Sequence, residues 1–241
     1  MKYIINKIYY FYFIRLSGEF IDAGVFYMKD TIPVESGVEN IFDLFNNVQR
    51  FYSVLLRKSI IVENHGRLRW GSSPMYYNYL LVDGGVLKLI LDKYTRLDLG
   101  ETVILAEDHN EFRGGCFYAG KGKCGRKFKH LVNVKRSKGG KSKPSQKCKR
   151  IRKIWDDGHG VAVLQLFPEC CDYEALSREF AMIKGLGLTN LTNAINSRCY
   201  GEMKQTWGLN EIKNFGNMLV YRALKMAILD PPIMIFEEDL D

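Results

Sequence analysis

Two short stretches of this 241-residue chain carry side chains that could do chemistry. The first, Cys116 to His130, reads C-F-Y-A-G-K-G-K-C-G-R-K-F-K-H. Its apolar start is long enough to end a buried strand. Gly120 and Gly122 follow, where a backbone can turn tightly or come close to a ligand. Lys121, Lys123, Arg126, Lys127, Lys129 and His130 come next, with no acidic residue among them. Strand, glycine turn and basic helix start together predict a seat for an anion such as phosphate, built from free N–H groups and cations. A basic surface turn whose glycines serve geometry alone fits the same residues. The second stretch centres on Glu179, which on a helix shares the apolar stripe of Leu176 and Ile183. A carboxylate facing a core is costly unless it is paired or coordinated. Its partner is either Arg178 or Arg126 in a salt bridge, or a hard divalent cation such as Mg²⁺, often held by one or two carboxylates plus phosphate and water. Asn193, fourteen residues further on, is a residue type suited to capping a turn.

These groups need elements to position them. Residues 75–83 (M-Y-Y-N-Y-L-L-V-D) read as a strand closed by Gly84-Gly85. A long excursion over 84–114 contains a helix candidate at 86–94, and Gly114-Gly115 lead into a second strand over 115–119. The helix opened after the glycines continues through 128–134, and 135–144 (K-R-S-K-G-G-K-S-K-P) is a loop. Helical spacing returns over 145–155, with Cys148, Ile151, Ile154 and Trp155 apolar and Lys147, Lys149, Arg150, Arg152 and Lys153 around them. A third strand spans 161–167. Asp172 is placed to N-cap a helix reaching about Lys184, with Leu176, Phe180 and Ile183 as its buried face. A last helix covers 209–229, and Pro231-Pro232 stop it before an acidic, disordered tail. Residues 1–70 say least; a helix over 38–56 is their clearest feature, and no ankyrin-length repeat is visible.

A hydrophobic content of 46% and a mean hydropathy of −0.18 fit a packed domain. Net charge is +8, which favours a polyanionic partner. The charge is concentrated: residues 119–153 hold 15 Lys or Arg and no Asp or Glu, so the remainder is net negative. Such a block is a solvated surface or a nucleic-acid-binding patch. The six cysteines form no C-x-x-C pair and no zinc set, which predicts free thiols in a reducing compartment. The aromatic run at residues 8–14 lies between charged residues and is too short for a bilayer, which needs about 20 residues. We therefore expect no membrane association and a location inside the cell.

Tyr118-Ala119-Gly120, with Arg126 eight and His130 twelve residues after the tyrosine, resembles the second signature of the GIY-YIG nuclease superfamily. The pattern F-Y-x-G-K-G-K-x-x-R-x-x-x-H-L is similar to its branch of animal ankyrin-repeat and LEM-domain endonucleases. Tyr77-Asn78-Tyr79-Leu80-Leu81-Val82-Asp83 looks like that branch's first signature, and S-R-E-F-A-M-I-K-G-L-G-L-T-N-L-T-N around Glu179 looks like its glutamate helix. The resemblance covers about residues 70–228. It departs where the first signature lacks its glycine, where Ala119 replaces a bulkier residue, and where Cys124 stands at a position that tends to be basic.

The resemblance implies a mixed α/β domain over 71–230, with a three-stranded, mainly antiparallel sheet and flanking helices, between an N-terminal extension and a tail at 231–241. It implies an endonuclease that hydrolyses phosphodiesters of branched or structured DNA with Mg²⁺ or Mn²⁺, in the nucleus or cytoplasm. Glu179 would hold the metal, Tyr79 activate water, and Tyr118 orient the nucleophile or phosphate. Arg126 would stabilise phosphate charge, His130 share in proton transfer, and Asn193 support the site. Lys121, Lys123, Lys127, Lys129, Lys149, Arg150, Arg152 and Lys153 would grip the nucleic acid. A non-catalytic DNA-binding module of the same fold, and a nuclease of RNA or of mobile elements, are the alternatives.

Overall fold

A computed structural model describes residues 76–94, 104–137 and 143–240. The extension 1–70, the helix expected over 38–56 and the centre of the lysine-rich loop lie outside the described residues. The frame of the site is strand β1, Tyr76–Asp83, buried on both faces along its middle. Its aromatic and apolar content follows from that position, because each face meets a separate core. Helices α1 (Gly84–Tyr94) and α2 (Ala106–Gly115) fill the excursion that follows. β2 (Cys116–Lys123) pairs antiparallel with one side of β1 and β3 (Val161–Cys170) with the other. Between them run α3 (Arg126–Arg136) and α4 (Gln146–Asp156). Then come α5 (Asp172–Leu186), a 3₁₀ turn at Leu188–Asn190, the short α6 (Glu202–Gln205) and the long α7 (Leu209–Leu229). The sheet has the mixed α/β architecture expected, with the three strands in the order β2-β1-β3.

Alternation along β1 sorts the two cores. Leu80 and Val82 face a large core shared with Leu164, Leu166, Met182, Ile183, Phe215 and Leu219. Tyr77, Tyr79 and Leu81 face a smaller one, closed by Leu131 and Val134 of α3 and Ile151 and Ile154 of α4. A bulge in β2 opposite Leu81 and Val82 leaves Phe117 as the extra residue. Such a bulge re-aims side chains; Phe117 and Tyr118 both pack with the smaller core.

Four local expectations are corrected. Gly120 and Gly122 are not a turn: they continue β2 in register with Tyr79 and Tyr77, and the chain turns only at Cys124-Gly125. Their N–H groups belong to an edge strand rather than to an open phosphate seat. The glycines are required for another reason. A Cβ on Gly120 would lie 2.7 Å from Tyr79 Cζ, and one on Gly122 would lie 2.7 Å from the Tyr77 ring. Asp172 does not cap α5; it forms an ion pair with Lys121. The buried face of α5 is Glu174, Ala175, Ser177, Arg178, Ala181, Met182 and Ile183, which leaves Leu176 and Phe180 at its margin. The stretch after Pro231-Pro232 adds a two-residue strand β4 (Met234–Ile235) to β3, and the Trp155 indole N–H donates to the Ile235 carbonyl at 3.0 Å. Met234 and Ile235 of this segment pack against the two cores, while Ile233 is exposed.

Candidate active site

Tyr79 is the centre of the site and 1% exposed. On the sheet it has Gly120 on one side and Gln165 on the other, so its ring lies over a floor with no side chain at Gly120. Its phenol oxygen is 2.7 Å from His130 Nε2. Tyr118 completes a three-ring cluster, with centroids 5.9 Å from Tyr79 and 5.0 Å from His130. Arg126 and His130 are one helical turn apart on α3, which begins immediately after the Cys124-Gly125 turn. Tyr77 pins that turn: its hydroxyl donates to the Cys124 carbonyl and accepts the Lys127 N–H at 3.3 Å. Cys124 itself adopts φ 52° with its side chain exposed, so its backbone does the structural work.

Glu179 comes from α5, packed mainly on the other core, and the loop after α5 ties it to the site. Ser197 Oγ donates to Glu179 Oε2 at 3.1 Å. Asn193 takes both polar groups of Ala119: its Nδ2 donates to the carbonyl at 2.7 Å and its Oδ1 accepts the N–H at 3.1 Å. Thr192 N–H and Oγ1 both donate to the Phe117 carbonyl, at 2.7 and 2.9 Å. The loop therefore acts as a partner for the free edge of β2. The salt bridge considered for Glu179 is not formed with Arg178, which pairs with Glu174 at 2.6 Å in the interior.

The electrostatics follow from burial. Desolvation pushes the Tyr79 phenol well above the usual range and raises the Tyr118 phenol, and the nearby Glu179 charge adds to both. Burial lowers His130 to about 4, helped by the cations Lys147 and Arg126, so the imidazole is neutral near pH 7. Burial raises Glu179 to about 7 against the opposing pull of Ser197, Lys121 and Arg126. Arg126 is exposed, and its charge is felt by both phenols, His130 and Glu179. Tyr79, Tyr118, Arg126, His130 and Glu179 thus share one electrostatic neighbourhood, and Asn193 sits behind it on the β2 backbone. Among the described residues no three His, Cys, Asp or Glu side chains gather as a metal cluster. Glu179, desolvated and with Oε1 unbonded among the described residues, suits a hard cation that takes one protein carboxylate and fills its shell from phosphate and water.

The expected grip residues divide. Lys123, Lys129 and Lys149 are exposed. Lys127 Nζ donates to Gln165 Oε1 at 2.5 Å and Lys121 pairs with Asp172. Arg150 is bound to Asp83 at 3.1 Å, Arg152 to Ser137 Oγ at 3.0 Å, and Lys153 to Asp157 at 3.2 Å. Sequence reasoning missed Ser197, Tyr77 and Lys147. Lys147 Nζ lies 3.9 Å above the Tyr118 ring. A signal for it existed: Lys147 precedes Ile151 and Ile154 by four and seven residues, on the face of α4 that turns inward. All six cysteines are free, and no described helix is long and apolar enough to cross a membrane.

The profile of the LEM-3-like GIY-YIG domain matches residues 76–241. The chain is 30% identical to the ankyrin repeat and LEM domain-containing protein 1 of Homo sapiens over 139 residues, 56% of this chain and 22% of that protein. It is 32% identical to the Caenorhabditis elegans homolog over 127 residues, 52% of this chain and 18% of that protein. It is 30% identical to the Mus musculus protein over 166 residues, 67% of this chain and 29% of that protein. The chain thus spans less than a third of the length of these curated relatives. No solved structure matches it. The chain belongs to the LEM-3-like GIY-YIG domain family, and its described residues form a nuclease domain of the GIY-YIG type.

Proposed function

We propose that this protein is an endonuclease that hydrolyses phosphodiester bonds of branched or structured DNA with a divalent metal. The observation that carries the reading is the 2.7 Å bond between the Tyr79 phenol and a neutral His130, beside Tyr118, Arg126 and Glu179. A phenol held above its usual pKa is a poor base alone, but a neutral imidazole within hydrogen-bond reach gives its proton somewhere to go. Water oxygen attacks phosphorus and the bond to the leaving sugar oxygen breaks. The water proton passes to the Tyr79 oxygen as the phenol proton moves to His130 Nε2. Tyr118 orients the phosphate, and Arg126 neutralises charge on its oxygens with a planar fork. Glu179 would hold a Mg²⁺ or Mn²⁺ ion, which when bound would supply Lewis-acid stabilisation of the charge that develops in the reaction. Asn193 keeps β2, and so Tyr118, in place.

The preference for branched DNA is taken from the resemblance to the ankyrin-repeat and LEM-domain branch, as is a nuclear role in genome maintenance. The test is cleavage of a labelled branched duplex, a linear duplex and an RNA of the same sequence, each with Mg²⁺ and with EDTA. Metal-dependent cutting of the branched duplex, lost in Glu179→Gln, is the expected result. Binding without cutting, unchanged by Glu179→Gln, would make this a DNA-binding module that kept the fold.

A further inference from the structure

The half-buried cations of the basic block mostly have partners: Lys121 has Asp172, Arg150 has Asp83 and Lys127 has Gln165. Among the described residues Lys147 has none of this kind. It is half-buried at the start of α4, on the face that carries Ile151 and Ile154 into the core. Its ammonium stands 3.9 Å over the Tyr118 ring. The charged or titratable groups that sense it are Cys148, Arg126 and His130, and no carboxylate of the described residues offsets its charge. Burial, and to a lesser degree the Arg126 charge, lower it to about 8, so the cations Lys147 and Arg126 act on each other and holding the Lys147 charge in this half-buried place is costly. An anion arriving between them removes that cost, since each cation then has a counter-charge in a poorly hydrated place. The same anion would relieve His130, whose basicity both cations suppress.

Resting on the endonuclease reading, we propose that Lys147 contacts the reacting phosphate, its Nζ binding a non-bridging oxygen across from Arg126, with the Tyr118 ring fixing where the ammonium stands. The contact comes from α4, outside the two tyrosine signatures and the glutamate helix. It also gives a role to the exposed turn at Cys124, where the resemblance leads one to expect a cation: the second positive group enters from a different element.

The test compares Lys147→Met, Lys147→Gln and Lys147→Arg with wild type. Single-turnover cleavage is measured at saturating branched DNA with Mg²⁺, DNA affinity is measured in EDTA across a salt series, and thermal melts check folding. Removing a charged group that touches the reacting phosphate predicts a fall in cleavage rate of about 10²-fold in Lys147→Met and Lys147→Gln. Affinity should change less than about threefold, and Lys147→Arg should recover most of the rate. Lys88→Met, on the exposed face of α1, should change neither quantity. Two results would overturn the inference while leaving the endonuclease reading intact. One is an unchanged rate in Lys147→Met. The other is a loss of affinity and salt slope with the saturating rate preserved, the behaviour of an ordinary backbone-binding lysine. If wild type cuts no substrate, the endonuclease reading fails and this inference fails with it.

Discussion

A single hydrogen atom on Gly120 decides whether Tyr79 can lie where His130 reaches it. A methyl there would meet Tyr79 Cζ at 2.7 Å and its hydroxyl oxygen at 2.8 Å, with the Tyr118 ring at 2.8 Å. Gly120→Ala should therefore slow cleavage by about 10²-fold or more, because displacement of a reacting group by about 1 Å costs that much. The melting temperature should fall modestly, which separates this from unfolding. Proton linkage gives a second expectation at this scale. His130 and His109 are lowered by burial to about 4 and about 3 from 6.5. The stability they contribute is whole above pH 6.5 and is lost as pH falls through those values. Glu179 is raised from 4.5 to about 7, so its contribution has the opposite sense: whole below 4.5 and lost as pH rises through 7. Metal-free Glu179→Gln should melt higher than wild type at pH 8, by the equivalent of about 1–2 kcal/mol, and should show no such gain at pH 4. The acid limb of wild-type cleavage should move to lower pH as Mg²⁺ rises, because the cation competes with the proton for this carboxylate.

The site depends on two elements being held at fixed distances, β2 and α5. Asn193 satisfies both the N–H and the carbonyl of Ala119, so Asn193→Ala strands two polar groups on the strand edge. The expected cost is about 1–3 kcal/mol, read from the urea midpoint, with a larger loss in cleavage rate than in DNA affinity. α5 is seated against α7 at Gly216, where a Cβ would lie 1.9 Å from the Ala181 carbonyl oxygen. Gly216→Ala must part the two helices, at about 1–3 kcal/mol or more, and α5 carries Glu179 with it. Strand and helix types were legible from periodicity. Their ends were less so: Gly120 and Gly122 look like a turn in sequence, and become strand because Tyr79 and Tyr77 cover them from the neighbouring chain segment.

Across the whole molecule, a net charge of +8 drawn from one block predicts binding that weakens steeply with salt. Of the exposed members of the expected grip, Lys153 pairs with Asp157, which leaves Lys123, Lys129 and Lys149. Replacing all three with alanine should reduce the slope of log affinity against log salt by about 2–3, near 0.9 for each phosphate no longer neutralised. The remaining expected cations are held by Asp172, Gln165, Asp83, Ser137 and Asp157, and should contribute less. The linear order of residues was enough for the family and the three strands, and the family resemblance, rather than spacing alone, is what singles out Tyr79, Tyr118, Arg126, His130, Glu179 and Asn193 as candidates. It was also enough to expect a polyanionic partner, since net charge is a sum and needs no coordinates. Which cations are free, which face of α5 is inward, what Ser197 holds and that Lys147 stands over Tyr118 were decided only by tertiary structure. Each is a pairing between groups distant along the chain, and such pairings follow from where packing leaves a carboxylate, an aromatic face or nothing at all.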